Sequence, residues 1–167
     1  MAKELNKTGY VIGIDPDVDK NGYALIELEA RKVTVCTVTL PQLMYMVEVI
    51  RETAVASGKP LKVYVEAGWM NQSNWHLTRY DTKQSAAAKG KAQGRNHQRG
   101  MDIVELLKAG GVDVTPVAPL KKLWRGKDRK ITHDEITRIM GEVKHTNQEG
   151  RDAALLAWYH TNLPIRL

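Results

Sequence analysis

The chain has 167 residues, 43% of them apolar and 26% charged, with a net charge of +6. That size and balance suit one soluble globular domain able to bury roughly 70% of its unfolded surface. No stretch approaches the ~18 apolar residues of a membrane span, the single cysteine (Cys36) excludes an internal disulfide, and Met1–Lys7 holds no apolar signal-peptide core, so a cytoplasmic protein is expected.

Tyr10–Asp15 reads as a first strand, followed by the turn-rich run Pro16–Gly22. Within that run Asn21-Gly22 is a hairpin signal, because both residues tolerate positive φ. Tyr23–Leu28 and Lys32–Thr39 complete a meander, with Cys36 expected as a buried strand thiol. Pro41 opens a helix whose Leu43, Met46, Val47, Ile50 and Ala54 follow the 3.6-residue period, and Gly58 then Pro60 end it. Leu61–Glu66 is the fourth strand. From about Asn71 to Gly94 there is no apolar periodicity, and so long a connection is expected to be functional or mobile. A helix over Asn96–Ala109 and a fifth strand over Val112–Val117 precede a basic loop. Thr132 and Glu135 form a capping box for a short helix, and Thr146 and Glu149 repeat its spacing before a helix that begins near Gln148. No repeat or linker divides the chain, so residues 1–167 are expected to form one α/β domain, a mixed sheet with helices on its faces.

Four acids stand out in this layout. Asp15 and Glu66 end core strands, while Glu149 and Asp152 lie three apart at a helix entrance. Singly, each has an ordinary explanation: a turn, a solvated strand end, a capping acid, or a charge favoured by the helix dipole. Jointly they can converge on one point, where carboxylates repel unless a cation neutralises them. Hard divalent ions prefer oxygen ligands, and two of them about 4 Å apart can clamp the attacking and leaving oxygens of a phosphodiester. The run Asp17-Val18-Asp19-Lys20-Asn21-Gly22 mimics the start of a calcium loop but fails, because Leu28 stands where the bidentate acid belongs. His76, His97, His133, His145 and His160 show no paired zinc spacing, and no glycine-rich nucleotide fingerprint follows a strand.

Positive charge is segregated as well. Arg79, Lys83, Lys89, Lys91, Arg95 and Arg99 against Asp81 give +5, and Lys121, Lys122, Arg125, Lys127, Arg129 and Lys130 against Asp128 give another +5. The rest of the chain therefore carries −4. Basic segments on a slightly acidic body are the footprint of a phosphate backbone. Acids and basic segments together point to a metal-dependent nuclease.

The wording of these segments resembles the RuvC family, Holliday-junction resolvases of the ribonuclease H-like superfamily. The resemblance rests on Gly13-Ile14-Asp15-Pro16 with Gly22-Tyr23-Ala24, on Val65-Glu66, and on Glu149-x-x-Asp152-Ala153, and its element order spans nearly the whole chain. It implies a ribonuclease H-like fold with a central five-stranded mixed sheet, two magnesium or manganese ions, and a homodimer that cuts four-way DNA junctions to leave 5′ phosphates. It implies Asp15, Glu66, Glu149 and Asp152 as catalytic metal ligands, with Glu149 standing where the family commonly has aspartate or histidine. Lys121, Lys122 and Lys130 match its basic loop as phosphate contacts. Trp69, three after Glu66, is either an aromatic wedge against junction bases or a packing residue. Two rival readings stay open: a ribonuclease H-like enzyme acting on RNA, and a binding protein with an incomplete metal site.

Overall fold

The computed structural model describes residues 7–71 and 78–166. Residues 1–6, and residues 72–77 of the polar stretch with His76, lie outside the described residues.

Five strands form one sheet: β1 (Tyr10–Asp15), β2 (Asn21–Glu27), β3 (Lys32–Val38), β4 (Leu61–Glu66) and β5 (Val114–Val117). Their order is β3-β2-β1-β4-β5. The first three pair antiparallel, while β4 joins β1, and β5 joins β4, in parallel. The helices are α1 (Leu40–Ser57), α2 (Lys83–Ala109), α3 (His133–Met140) and α4 (Gln148–His160). This is the mixed five-stranded, helix-flanked α/β sheet expected from the sequence.

Strand alternation sorts the core onto two faces. Ile12, Ile14, Tyr23, Leu25, Val63 and Val65 point to one side, where Leu43 and Val47 of α1 and Ile103, Val104 and Leu107 of α2 cover them. Val11, Ala24 and Ile26 point to the other, under Ile136 and Met140 of α3 and Ala153–Ala157 of α4. Local signals place the helix ends. Thr39 and Gln42 form a reciprocal capping box at the start of α1, and Gly58 closes it in the left-handed conformation at φ 65°.

Four local expectations change. Asn21-Gly22 is not a turn but the start of β2. Asn21 is buried, its amide donating to the Val38 carbonyl at 3.3 Å and its Oδ1 accepting from the Asp17 N–H at 3.1 Å. The turn is left to residues 16–20. Helix α2 begins at Lys83, thirteen residues before the expected Asn96. Its first half, rich in alanine, lysine and glutamine, needs no apolar stripe because it packs on little, and propensity with the Thr82 cap sustains it. Strand β5 starts at Val114 rather than Val112. Cys36 is half-buried, since β3 is the sheet edge.

Candidate active site

Register makes the two strand acids neighbours. Ile14 of β1 lies beside Val65 of parallel β4, so the next residues, Asp15 and Glu66, close the two strands side by side. Adjacent strands are about 4.8 Å apart. By parity both acids belong to the face covered by α4.

Helix α4 delivers the other two. Its N-cap is Asn147, whose side chain accepts the Gly150 N–H at 3.0 Å. The cap is thus one residue later than the Thr146 spacing predicts, and Glu149 is released from the capping role. Two strand glycines let α4 press onto the sheet. A Cβ on Gly22, which pairs with Asp15 across β1 and β2, would lie 2.1 Å from the Glu149 carbonyl oxygen and 3.2 Å from the Asp15 Cβ. A Cβ on Gly13 would lie 2.2 Å from the Ala153 carbonyl oxygen. Only hydrogen fits at either place. The first turn of α4, with Glu149 and Asp152, therefore lies directly over Asp15.

The electrostatics register this crowding. Burial drives the Asp15 carboxyl well above the usual carboxylate range, and Glu66, Asp152 and Glu149 push it further, against the pull of Lys130. Glu66 is raised by burial and then by Asp152, with Lys130 and Lys122 opposing. Asp152 is oriented from both sides: Gln148 Nε2 donates to Oδ1 at 2.8 Å, and Lys130 Nζ lies 3.4 Å from Oδ2. Negative charge is thus in excess over the nearby cations, and every donor is a carboxylate oxygen, a set that suits a hard divalent ion. Among the described residues, as arranged, no three acidic, histidine or cysteine side chains close on a single coordination point.

Asp15, Glu66, Glu149 and Asp152 line a cleft of about 1230 Å³, and so do Trp69, Lys121, Lys122 and Lys130. Its walls are the basic loop over residues 119–131 and one side of α2, from which Lys89, Gln93, Asn96 and His97 face it. Lys121 and Lys122 are exposed, whereas Lys130 is drawn inward by Asp152. Lys89 also pairs with Asp81 at 2.8 Å. Trp69 sits in a single 3-10 turn (Gly68–Met70), packed at the border of the α1 and α2 core. A Cβ on Gly100 would lie 2.4 Å from its ring, and His97 meets it edge-on at 6.5 Å. It is a packing residue that also lines the cleft.

The basic charge of the α2 wall is legible in the sequence, but its helical form before Asn96 and the contacts of three side chains that hold the site together are not. Arg151 donates from Nε to the Ile131 carbonyl at 3.0 Å and from Nη1 to the Thr146 carbonyl at 2.7 Å, binding the basic loop to the entrance of α4. Gln148 and Glu135 are the others. The four-residue spacing of Gln148 and Asp152 was a legible signal; nothing local marks Arg151.

A scan against protein-family models finds no match, and a search of curated proteins finds none. Two solved structures are similar. Thermus thermophilus RuvC aligns with a TM-score of 0.45 and 17% identity over 95% of this chain and 99% of its own. T. thermophilus RuvC in complex with Holliday junction substrate aligns with a TM-score of 0.44 and 18% identity over the same shares. This likeness concerns chain path, and what the site can do rests on its own residues. Among the described residues no helix is long and apolar enough to cross a membrane.

Proposed function

We propose that the chain is a single-domain, divalent-metal-dependent endonuclease acting as a homodimer on branched DNA, with the four-way junction as its substrate. The observation that carries this reading is the gathering of four carboxylates from β1, β4 and α4 on one cleft with basic walls. Asp15, Glu66, Glu149 and Asp152 would hold two magnesium or manganese ions. Bound there, such ions supply an activated water and stabilise charge on the leaving oxygen of an in-line displacement, leaving a 5′ phosphate.

The remaining chemistry belongs to the chain. Asp15 is the acid on which the other three converge, since Glu66, Asp152 and Glu149 all raise its carboxyl. Gln148 and Lys130 fix the Asp152 carboxylate from opposite sides. Lys122 and Lys130, already felt by Glu66, offset the repulsion between the acids and an incoming phosphate. Lys121, exposed on the same wall, would bind the backbone beyond the scissile group, and Trp69, which lines the cleft, would offer its ring to unstacked bases. The junction as substrate is favoured by the resemblance in sequence to the RuvC family.

A cleavage panel with magnesium tests the reading: a four-way junction, a Y-fork, duplex DNA, an RNA–DNA hybrid and a structured RNA. Selective cutting of the junction to products with 5′ phosphates is expected. Cutting confined to the RNA substrates would replace this reading with an RNA-processing one. Binding without cleavage under magnesium and manganese would replace it with a binding protein. Light scattering of the protein alone checks the dimer.

A further inference from the structure

The capping box at Thr132 explains only part of what Glu135 does. Glu135 is 4% exposed, less than any other charged residue among the described residues. Its Oε2 accepts the Thr132 N–H at 2.9 Å and the Thr132 hydroxyl at 3.0 Å, as a capping acid does. Its Oε1 also accepts the backbone N–H of Arg125 at 3.1 Å, ten residues upstream. Helix capping has no use for that bond.

Arg125 and Thr132 bracket the turn of the basic loop, downstream of Lys121 and Lys122. Between them the chain folds back on itself, with the Trp124 N–H on the Arg129 carbonyl at 3.0 Å and the Gly126 N–H on the Lys130 carbonyl at 2.9 Å. Asp128 and Arg129 turn the corner at φ 55° and 58°. Aspartate tolerates the left-handed region but arginine does so less readily, and such a conformation persists where the surrounding structure holds it. One carboxylate pins both ends of the turn, and Arg151 fastens the Ile131 carbonyl next door. The loop carries Arg125, Lys127, Arg129 and Lys130, the last of which reaches Asp152.

We propose that Glu135 is a positioning residue of the cleft: it clamps the two ends of the basic loop's turn so that Lys130 and its neighbours meet the acids, and a bound phosphate backbone, as a fixed array. The clamp stands on contacts within the protein; its use on phosphate rests on the function proposed above. Burial pushes the Glu135 carboxyl up, but the hydrogen bonds from Thr132 and Arg125 outweigh this and hold it below the ordinary value. The clamp is therefore charged at neutral pH.

Glu135→Gln separates a clamp from a cap. Glutamine serves equally well in a capping box; with its oxygen kept on the Thr132 N–H it turns an NH2 group toward the Arg125 N–H, donor against donor, and leaves only the longer 3.4 Å contact of that N–H with the capping oxygen. Losing a hydrogen bond to a charged group shifts a local opening equilibrium by about ten- to a hundredfold. Trypsin cleavage after Arg125, Lys127 and Arg129, read by mass spectrometry, should accelerate by that factor in Glu135→Gln. In Thr132→Ala, which weakens the cap and leaves the Arg125 bond, it should change less than about threefold. Single-turnover junction cleavage by Glu135→Gln should fall about tenfold, with junction affinity in calcium reduced less than about threefold. Wild-type protection of the loop in Glu135→Gln, with unchanged cleavage, would reduce Glu135 to a helix cap and overturn the clamp. Hydrogen exchange in the wild-type protein decides the matter even if the variant fails to fold. The clamp requires a protected Arg125 amide, and a freely exchanging one rejects it. If the wild-type protein cuts no DNA, the functional reading fails while the proteolysis and exchange results still judge the clamp.

Discussion

Replacing Gly22 with alanine tests how the active site is assembled. The residue lies in a strand, opposite Asp15, and its φ is not one that demands glycine. The demand comes from α4. An added Cβ would lie 2.1 Å from the Glu149 carbonyl oxygen and 2.5 Å from its carbonyl carbon, whereas ordinary contact begins near 3.4 Å. The obstacle is helix backbone, not a side chain that can swing away, so the first turn of α4 must retreat by about 1.3 Å, taking Glu149 and Asp152 with it. Overpacking of this kind costs about 1–3 kcal/mol of stability. A misplacement of about 1 Å at a reacting centre costs on the order of 100-fold in rate. Gly22→Ala should therefore lose about two orders of magnitude in single-turnover junction cleavage while binding the junction in calcium nearly as well as wild type. Gly90→Ala is the control, because open space surrounds its Cβ position on α2; it should gain about 0.4–1 kcal/mol of stability with unchanged cleavage. A folded Gly22→Ala protein that cuts at the wild-type rate would show that the seating of α4 on β2 does not set the acid geometry.

Asp15→Asn, Glu66→Gln and Asp152→Asn should each abolish cleavage and spare binding, and wild-type rates in both aspartate variants would dismiss the assigned site. Because the Asp15 carboxyl is raised, the folded state holds its proton more tightly than the unfolded chain, so the metal-free protein loses stability as pH rises above the ordinary value of 3.8. Asp15→Asn should reduce that slope to the part due to Glu66, which is also raised, and raise Tm at neutral pH without metal, which thermal scans across pH will show. Neutralising Lys121, Lys122 and Lys130 together should flatten the dependence of log K on log salt by about 3 for duplex-like DNA, and an unchanged slope would move the phosphate contacts to α2. Trp69→Ala should lower Tm through its lost packing on Gly100, a truncation of the kind that costs about 3–5 kcal/mol when fully buried. If junction cleavage by its folded fraction stays normal, Trp69 has no part in reading the junction.

The sequence by itself determined the strands, their apolar alternation and the acids at their ends, because each is a local pattern. Tyr10–Asp15 and Leu61–Glu66 appear at the predicted residues, and the box of Thr132 and Glu135 caps α3 as its spacing required. Propensity without periodicity hid the first half of α2, whose residues turn almost no apolar face to the body. The Asn21-Gly22 signal misled because a long-range bond, from the Asn21 amide to β3, outbid local turn preference. Tertiary structure alone decided the site's geometry. The parallel register of β1 and β4 sets Asp15 beside Glu66, and two hydrogen-only contacts let α4 lie on the sheet. The hold of Glu135 on Arg125, of Arg151 on Ile131 and of Lys130 on Asp152 was equally out of reach. Those bonds join residues ten to twenty-two positions apart, and no helix or strand period relates such pairs until the packing of the helices brings them together.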